Sequence, residues 1–200
     1  VGGVSSVTFD NPKIKWETTT QINLGIDFGF WNSRLTGSID LYKKNTKDLL
    51  FRVRSAQPAP NEFNWFNVDT DVENKGVELG LNLVAVDGKN FDWRIIANGA
   101  FNHNEVKDFA GLVNTGRIHG QGLSEAYAQR IAGGQPLFAF FLRDFVGFDA
   151  SGNQLYRDDS DVQVFVGKSP IPKFTAGLTN QFQFGNLDLS VFFTGQFGHY

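Results

Sequence analysis

The sequence contains no cysteine and no methionine, and it has no long uninterrupted apolar run. The absence of cysteine excludes disulfide bonds, thiolate metal sites and a cysteine nucleophile. Without a run of about 18 apolar residues there is no candidate membrane-spanning helix, and no signal peptide begins at Val1. A chain without methionine is expected to be a processed product or an excerpt of a longer protein.

The net charge is small, and the composition is rich in glycine and phenylalanine. The net charge of -3 provides no basic field that would attract a phosphate backbone, so no nucleic acid is expected as a partner. The chain has 22 glycines and 21 phenylalanines. That combination suits strands with one face against hydrocarbon and the other face in a crowded or watery interior.

Apolar and polar residues alternate with a period of two, which predicts six β-strands. In the first strand, for example, Ile22, Leu24 and Ile26 alternate with polar residues and glycine. Short turns join these strands into three predicted hairpins. The hairpins cover residues 21–42, 77–101 and 174–197, with turns at residues 31–34, 87–90 and 185–186.

Long connections, residues 43–74 and 107–172, separate the three hairpins. If the strands run alternately up and down, all short turns lie at one end of the sheet and all long loops at the other. Outer-membrane barrels have this asymmetry. Each strand core is about ten residues long, which matches the ~9 to 11 residues needed to cross the hydrocarbon layer at a tilt.

Two features are predicted inside the second long connection. Ser124 is expected to cap a short helix over residues 125–131 that ends at Gly133 and Gly134. Residues 137–166 leave two alternatives open: a hairpin that projects from the barrel, or two additional barrel strands.

A soluble or surface-attached all-β carbohydrate-binding module would show the same alternation, so the polar face has to distinguish the two classes. In the strand interiors this face carries Asn, Gln, Thr, Ser and Gly, and every lysine lies in or beside a predicted loop or turn. Aromatic residues near the turns fit an interfacial girdle: Phe30, Trp31, Phe91, Trp93 and Phe184. The pattern favours a membrane barrel, which six strands cannot close by themselves.

Several segments resemble a known family. Residues 11–12, 15–20 and 25–28 (Asn-Pro, Lys-Trp-Glu-Thr-Thr-Thr and Gly-Ile-Asp-Phe) resemble a signature of the SusC/RagA-like TonB-linked outer-membrane transporters. Further similar segments follow in the same order: residues 37–42, 46–50, 74–79, 170–174 and 188–193. Each is weak alone, and their collinear order over nearly the whole chain carries the resemblance.

The resemblance implies an all-β fold: an antiparallel segment of a transmembrane β-barrel of about 22 strands, with long extracellular loops and short periplasmic turns. Residues 1–200 would then be part of a TonB-dependent receptor β-barrel domain, and the plug domain and the C-terminal strands would lie outside this excerpt. The implied function is import of glycans or other oligomeric nutrients across the Gram-negative outer membrane.

The resemblance also implies partners. They are a SusD-like surface lipoprotein, TonB acting through parts missing from this chain, outer-membrane lipid, and an oligosaccharide or peptide substrate. No cofactor is implied. The family often carries an Asp-Gly-rich acidic stretch before the Pro-x-Pro strand. Here only residues 158–161 remain of that stretch, without the glycines.

An aromatic cluster in the first long connection is the candidate contact site. Phe63, Trp65 and Phe66 alternate with asparagines at positions 61, 64 and 67. Such rings can stack on sugars or pack against the lipoprotein. The alternative is that they anchor the loop to its own neighbours.

Charged residues on the polar face form the second candidate set. They are predicted to face the lumen and to pair with one another or with the plug: Asp27, Asp40, Glu78 and Arg94.

No catalytic or metal constellation is predicted, so the chain is expected not to be an enzyme. The three histidines, at positions 103, 119 and 199, have no ligand spacing. Asp158, Asp159 and Asp161 carry oxygens that suit Ca²⁺, but a solvated loop is the preferred interpretation. There is no nucleophile elbow and no phosphate-cradling loop.

Overall fold

The computed structural model describes residues 11–55, 63–123, 126–157 and 162–200, and for Val53, Arg54 and Phe63 it describes the backbone only. These residues form strands and connections, and no α-helix. No helix long and apolar enough to cross a membrane occurs in these ranges. The strands are β1 (Thr18–Phe30), β2 (Leu35–Lys47), β3 (Leu49–Arg54), β4 (Phe63–Val68), β5 (Asp71–Asp87), β6 (Phe91–Lys107), β7 (Leu112–Arg117), β8 (Tyr127–Ala132), β9 (Ala139–Leu142), β10 (Phe145–Phe148), β11 (Gln154–Tyr156), β12 (Val164–Phe165), β13 (Phe174–Phe184) and β14 (Leu187–Phe197).

The main sheet has six strands in the order β1-β2-β5-β6-β13-β14, and each pair of neighbours is antiparallel. All three predicted hairpins are confirmed, with their turns between the expected strands. β1 and β14 are the edges of the sheet. Between the hairpins β2 pairs with β5 and β6 pairs with β13, so the long connections leave the sheet and return to the neighbouring position.

The short turns have local causes. Trp31, Asn32 and Ser33 adopt left-handed backbone conformations, with φ of 53°, 52° and 65°. Gly185 has a φ of 57°, which costs glycine little because it has no Cβ. Both turns reverse the chain within a few residues, as the primed turns of hairpins do.

A β-bulge interrupts β5 between Val84 and Val86. The bulge leaves backbone carbonyls without their usual ladder partners. Arg34 donates to them: its Nε bonds the Val84 carbonyl at 3.3 Å and its Nη2 bonds the Ala85 carbonyl at 3.4 Å. Arg34 therefore ties the first turn to the second hairpin.

Four strands are longer than the sequence pattern predicts. β1 and β2 have 13 residues each, and β5 and β6 have 17 each. The first long connection is therefore shorter than expected, running only over residues 48–70. The prediction that every lysine lies in or beside a loop is wrong for Lys43, Lys44 and Lys75, which are paired within strands. The alternation of apolar and polar residues does not reveal where these strands end, because near the strand ends both faces carry polar residues.

The long connections fold into small sheets of their own. β3 pairs with β4, β10 pairs with β11, and a four-stranded sheet has the order β12-β9-β8-β7. Residues 137–166 thus add no strand to the main sheet. Of the two alternatives, two additional barrel strands are wrong, and the segment projects from the main sheet. The predicted helix is wrong for residues 127–131, which lie in β8 and pair with β7, while Ser124 and Glu125 lie outside the described residues.

The main sheet has one largely apolar surface that the rest of the described chain leaves open. Ile22 is 70% exposed, Leu24 65% and Phe193 60%, and the apolar residues between these edges are exposed or half-buried. We call this surface the apolar face and the opposite one the polar face. The hydrophobic core lies instead at the long-loop end, where Val72, Val106 and Ile131 are buried. Partly buried apolar residues pack around them: Leu49, Phe51, Phe109, Val113 and Leu137.

Aromatic residues cluster on the apolar face at the short-turn end. The rings of Phe91 and Phe184 are 4.7 Å apart, and those of Trp93 and Phe182 are 5.7 Å apart. Asn180 is a polar residue on this face, and its Oδ1 accepts a hydrogen bond from Trp93 Nε1 at 3.1 Å. The arrangement matches an aromatic girdle, in which amphipathic rings lie between hydrocarbon and water.

Candidate functional site: the polar face and the loop end

Three of the four predicted lumen charges come together on the polar face. Asp40 on β2 is directly opposite Glu78 on β5, so two carboxylates are cross-strand neighbours. Asp27 on β1 is opposite Ser38, two positions along β2 from Asp40. Like charges in such positions repel unless a cation or a donor lies between them. The patch therefore suits a cationic or hydrogen-bond-donating partner.

Arg94 is not part of this acidic patch. It is paired with Val84 on β5 and with Gln181 on β13, near the short-turn end. A rise of about 3.3 Å per residue puts it roughly 20 Å from Ala100, the partner of Glu78. Arg94 borders an open depression of about 400 Å³ that also contains polar residues of three strands: Asp92, Gln181, Gln183, Asp188 and Ser190.

Glycines make room for large polar side chains on this face. A Cβ on Gly25 would collide with the Asp40 carboxylate, and one on Gly177 would lie 2.8 Å from Asn98 Oδ1. At Gly76 a Cβ would lie 2.7 Å from the Tyr42 hydroxyl. In each case the side chain lies over the glycine directly opposite it in the register.

Toward the long-loop end, the polar face forms a second depression, of about 450 Å³. Tyr42 spans it, because its hydroxyl donates a hydrogen bond to Asn102 Oδ1 at 2.8 Å. The lining is almost entirely polar and comes from four strands: Gln21, Asn23, Asp40, Tyr42, Lys44, Asn74, Glu78 and Asn102. A surface with so many donors and acceptors can bind hydroxyl or amide groups.

Ion pairs connect the long-loop ends of β2, β5 and β6 beyond the apolar residues. Glu73 accepts from Lys43 at 2.7 Å and from Lys75 at 3.0 Å. These hydrogen bonds lower the pKa of Glu73 from 4.5 to about 2, against the opposing effect of burial. Lys107 lies 2.6 Å from Glu105 and lowers the pKa of that carboxyl in the same way.

Asn104 attaches the loop assembly to the sheet. It is 8% exposed, donates to Asn74 Oδ1 at 2.8 Å and accepts from the Leu137 backbone N–H at 2.7 Å. Backbone bonds continue this attachment, from Val106 N–H to the Gln135 carbonyl at 2.8 Å and from Gly134 N–H to the Val106 carbonyl at 2.8 Å. The described residues 134–137 are thus hydrogen-bonded directly to the sheet.

The predicted aromatic contact site lies on β4. Trp65 is 49% exposed and Phe66 37%, and the side chain of Phe63 lies outside the described residues. Asn67, which follows Phe66, has a structural role. Its side chain accepts a hydrogen bond from the Lys15 N–H and donates to the backbone carbonyls of Lys15 and Asp48. About half of the Trp65 side chain is thus left uncovered by the described residues.

The β10–β11 hairpin is a second exposed apolar surface. None of the candidate site residues predicted from the sequence lies on it. Phe148 is 64% exposed, Val146 51% and Phe145 49%. Asp149 holds the turn, accepting from the backbone of Ser151 and Asn153 at 2.8 Å each. A hairpin with exposed rings is a typical protein-contact surface.

No group of three or more possible metal ligands occurs among the described residues. The candidate Ca²⁺ residues Asp158, Asp159 and Asp161 lie outside them. His103 Nε2 lies 3.4 Å from Glu105 Oε2, beside the ion pairs at the strand ends.

The two-faced sheet with short turns at one end and folded loops at the other agrees with the comparisons to known proteins. The sequence pattern of the family described as TonB dependent receptor-like, beta-barrel matches residues 1–199. The chain belongs to this TonB-dependent receptor β-barrel family. Such proteins are receptors and transporters and not enzymes.

The curated relatives of this receptor segment include the TonB-dependent receptor SusC of Bacteroides thetaiotaomicron, 30% identical over 95% of this chain and 20% of SusC. TonB-dependent receptor P26 of Formosa agariphila is 28% identical over 94% of this chain and 21% of that protein. The predicted SusC/RagA-like relationship is confirmed. The receptor segment spans about a fifth of the length of these relatives.

The fold of the receptor segment also matches solved barrels. A structure of the RagAB peptide transporter superposes with a TM-score of 0.79 at 23% identity, covering 96% of this chain and 22% of that chain. A RagAB peptide importer in the "open-open" state gives 0.74 at 20% identity. The antiparallel barrel fold is thereby confirmed.

Besides the exposed β10–β11 hairpin, the sequence did not reveal two features of the site. One is the crossing of Tyr42 over Gly76, for which the only signal was a glycine inside an alternating strand. The other is the pairing of Glu73 with Lys43 and Lys75, which depends on a strand register that distant residues determine.

Proposed function

We propose that this segment forms part of the barrel wall of a TonB-dependent transporter in the Gram-negative outer membrane. The exposed apolar face carries the proposal. It extends across all six strands, whereas a soluble monomer rarely exposes a contiguous apolar patch larger than a few hundred Å². Hydrocarbon is the solvent that such a surface requires.

The edges of the sheet support the same placement. Among the described residues, the outer edges of β1 and β14 pair with no other strand, and unpaired backbone groups in a bilayer cost several kcal/mol each. Residues 1–200 are accordingly one part of a barrel domain, and strands elsewhere in the full-length receptor complete it. The polar face then lines the lumen, and Asp27, Asp40, Glu78 and Arg94 face the plug or the solute.

The transported solute is an oligomeric nutrient, a glycan or a peptide. The polar depression beneath Tyr42 offers hydroxyl, amide and carboxylate groups that suit either polymer. At the loop end the exposed indole of Trp65 offers a face on which a sugar ring or an aromatic side chain can stack. TonB acts on the plug of the full-length receptor, and the solute is released inward.

The loop end is also where a SusD-like surface lipoprotein binds. The exposed rings of Phe145 and Phe148 lie on a hairpin outside the main sheet, so lipid does not cover them in the proposed placement. An apolar surface facing water is a suitable contact for a partner protein. Changing Phe148 to aspartate should reduce co-purification of the lipoprotein with the full-length receptor, while the same change at the exposed turn residue Ala150 should not.

Spin labels on neighbouring residues of β5 test the barrel wall. The segment has no native cysteine, so Leu81→Cys and Asn82→Cys, in a full-length receptor from which any other cysteine has been removed, place one label on each face. The label at position 81 should collide with oxygen dissolved in lipid, and the label at position 82 with a water-soluble nickel complex. Equal access of the nickel complex to both labels would refute a lipid-facing apolar surface.

Uptake measurements test the transport function. Cells with and without the full-length receptor are given labelled oligosaccharides and oligopeptides, and an energy-uncoupled strain lacking TonB serves as control. Uptake of one class should require both the receptor and TonB. If neither class shows such a requirement, import of an oligomeric nutrient is wrong.

The alternative function is a soluble or surface-attached carbohydrate-binding module, for which the exposed Trp65 is the favouring observation. Such a module folds without detergent. Expression of residues 1–200 alone in buffer separates the two hypotheses, because a monomeric folded product would contradict the barrel.

A further inference from the structure

A row of two lysines and a histidine crosses the outer surface directly above the apolar face. Lys43, Lys75 and His103 are aligned in register on β2, β5 and β6. Each lies two positions from an apolar residue of the same strand, so the side chains share a face. The apolar residues are Leu41, Val77 and Phe101.

The two rows border one shallow groove of about 600 Å³. Its floor is apolar and continuous with the rest of the apolar face, since Leu41 and Val77 are exposed beside Ile39 and Leu79. Its upper rim carries the ammonium groups. The groove is thus amphipathic, with hydrocarbon-binding and anion-binding parts in contact.

The charge that this rim presents outward is positive, although carboxylates are near. The side chain of Glu73 is only 8% exposed, whereas those of Lys43 and Lys75 are 55% and 50% exposed. Glu73 lies one row farther from the apolar residues than the two lysines. It binds both ammonium groups from the side that points away from the apolar face. An anion approaching along the membrane surface therefore meets the two lysines first.

We infer that this groove binds a phosphorylated lipid of the outer leaflet. An acyl chain lies along Leu41, Val77 and Phe101, and the phosphate lies against Lys43 and Lys75. Ammonium groups bind phosphate as point charges, and basic residues at a membrane surface attract anionic lipid. The inference rests on the membrane placement proposed above, since only that placement brings lipid to this face.

The experiment uses the full-length receptor in nanodiscs of phosphatidylcholine that contain a small fraction of phosphatidic acid. Native mass spectrometry then measures which lipid remains bound after partial delipidation. The wild type should be enriched in phosphatidic acid. Lys43→Gln with Lys75→Gln should lower this enrichment by roughly fivefold per lysine, about 25-fold together.

Three further variants separate lipid binding from damage to the fold. The triple variant K43Q/E73Q/K75Q leaves no unpaired carboxylate and should lose the enrichment as the double variant does. Glu73→Gln alone keeps both ammonium groups and should retain or raise the enrichment. Lys47→Gln changes a lysine on the same strand that pairs with Asp71 at 3.5 Å, and it should have no effect.

Enrichment that survives in both the double and the triple variant overturns the site. So does an equal loss in Lys47→Gln, or displacement of the lipid by soluble glycerol phosphate at the same concentration, since that result assigns the groove to free phosphate. Lipid contact at position 81 with no enrichment refutes the lipid site alone. Absence of lipid contact at position 81 refutes the proposed function as well.

Discussion

The Tyr42 hydroxyl donates a hydrogen bond to Asn102 Oδ1 at 2.8 Å and thereby connects β2 to β6 across the whole width of β5. The strand between them contributes Gly76 at this position, over which the tyrosine ring lies. An aromatic side chain covering a strand glycine protects the backbone and pins the register. Tyr42, Gly76 and Asn102 therefore form one unit: the glycine leaves room for the tyrosine ring, and the asparagine binds the tyrosine hydroxyl.

Replacing Gly76 by valine should therefore destabilise the barrel by about 1–3 kcal/mol, because the new side chain displaces Tyr42 and crowds the backbone of β6. Urea unfolding of the full-length receptor in liposomes measures the loss. Gly80→Ala is the matched control on the same strand, where a Cβ meets only Ser38 Oγ at 3.4 Å. Equal losses at both positions would contradict the role of Tyr42.

The two faces of β5 should respond oppositely to charge. Leu81→Arg places a guanidinium on the apolar face and should cost about 2–4 kcal/mol near the bilayer midplane. Asn82→Arg places it on the polar face next in sequence and should cost much less. Unfolding in liposomes measures both, and similar costs would indicate that neither face meets lipid.

Asn104 should control the attachment of the loops. Asn104→Ala removes a donor to Asn74 and an acceptor for the Leu137 N–H, a loss of about 1–3 kcal/mol for buried groups left unpaired. The loop spanning residues 108–138 should then be cleaved faster by protease, while the sheet stays folded. Asn114→Ala, at an exposed position of β7, is the control and should leave the cleavage rate unchanged.

The pairing of Glu73 should make stability depend on pH in the acid range. Its pKa is lowered from 4.5 to about 2, so the folded protein holds the carboxylate where the unfolded chain takes up a proton. The contribution is complete above pH 4.5 and is lost as the pH falls toward 2. The stability difference between wild type and Glu73→Gln should shrink across this window, whereas a constant difference would contradict the pairing.

The candidate site was predictable only in part. The sequence places Asp40 and Glu78 on polar positions of their strands, and the structure adds that they are directly opposite one another. It also separates Arg94 from them, which strand alternation cannot reveal because alternation assigns a face and not a height. The exposed hairpin at Phe145 and Phe148 was missed, since an apolar run in a loop looks the same whether its neighbours bury it or not.

By itself the sequence determined the three hairpins, their turns, the two faces of the sheet and the family. These depend on residues that are close along the chain: a period of two decides which face a side chain occupies, and a few turn residues decide where the chain reverses. The tertiary structure alone decided the course of residues 127–132, which are a strand because β7 supplies their hydrogen bonds. It likewise decided that residues 137–166 stay outside the main sheet and that strands extend to Lys47 and Lys107, because those outcomes depend on pairing between distant segments.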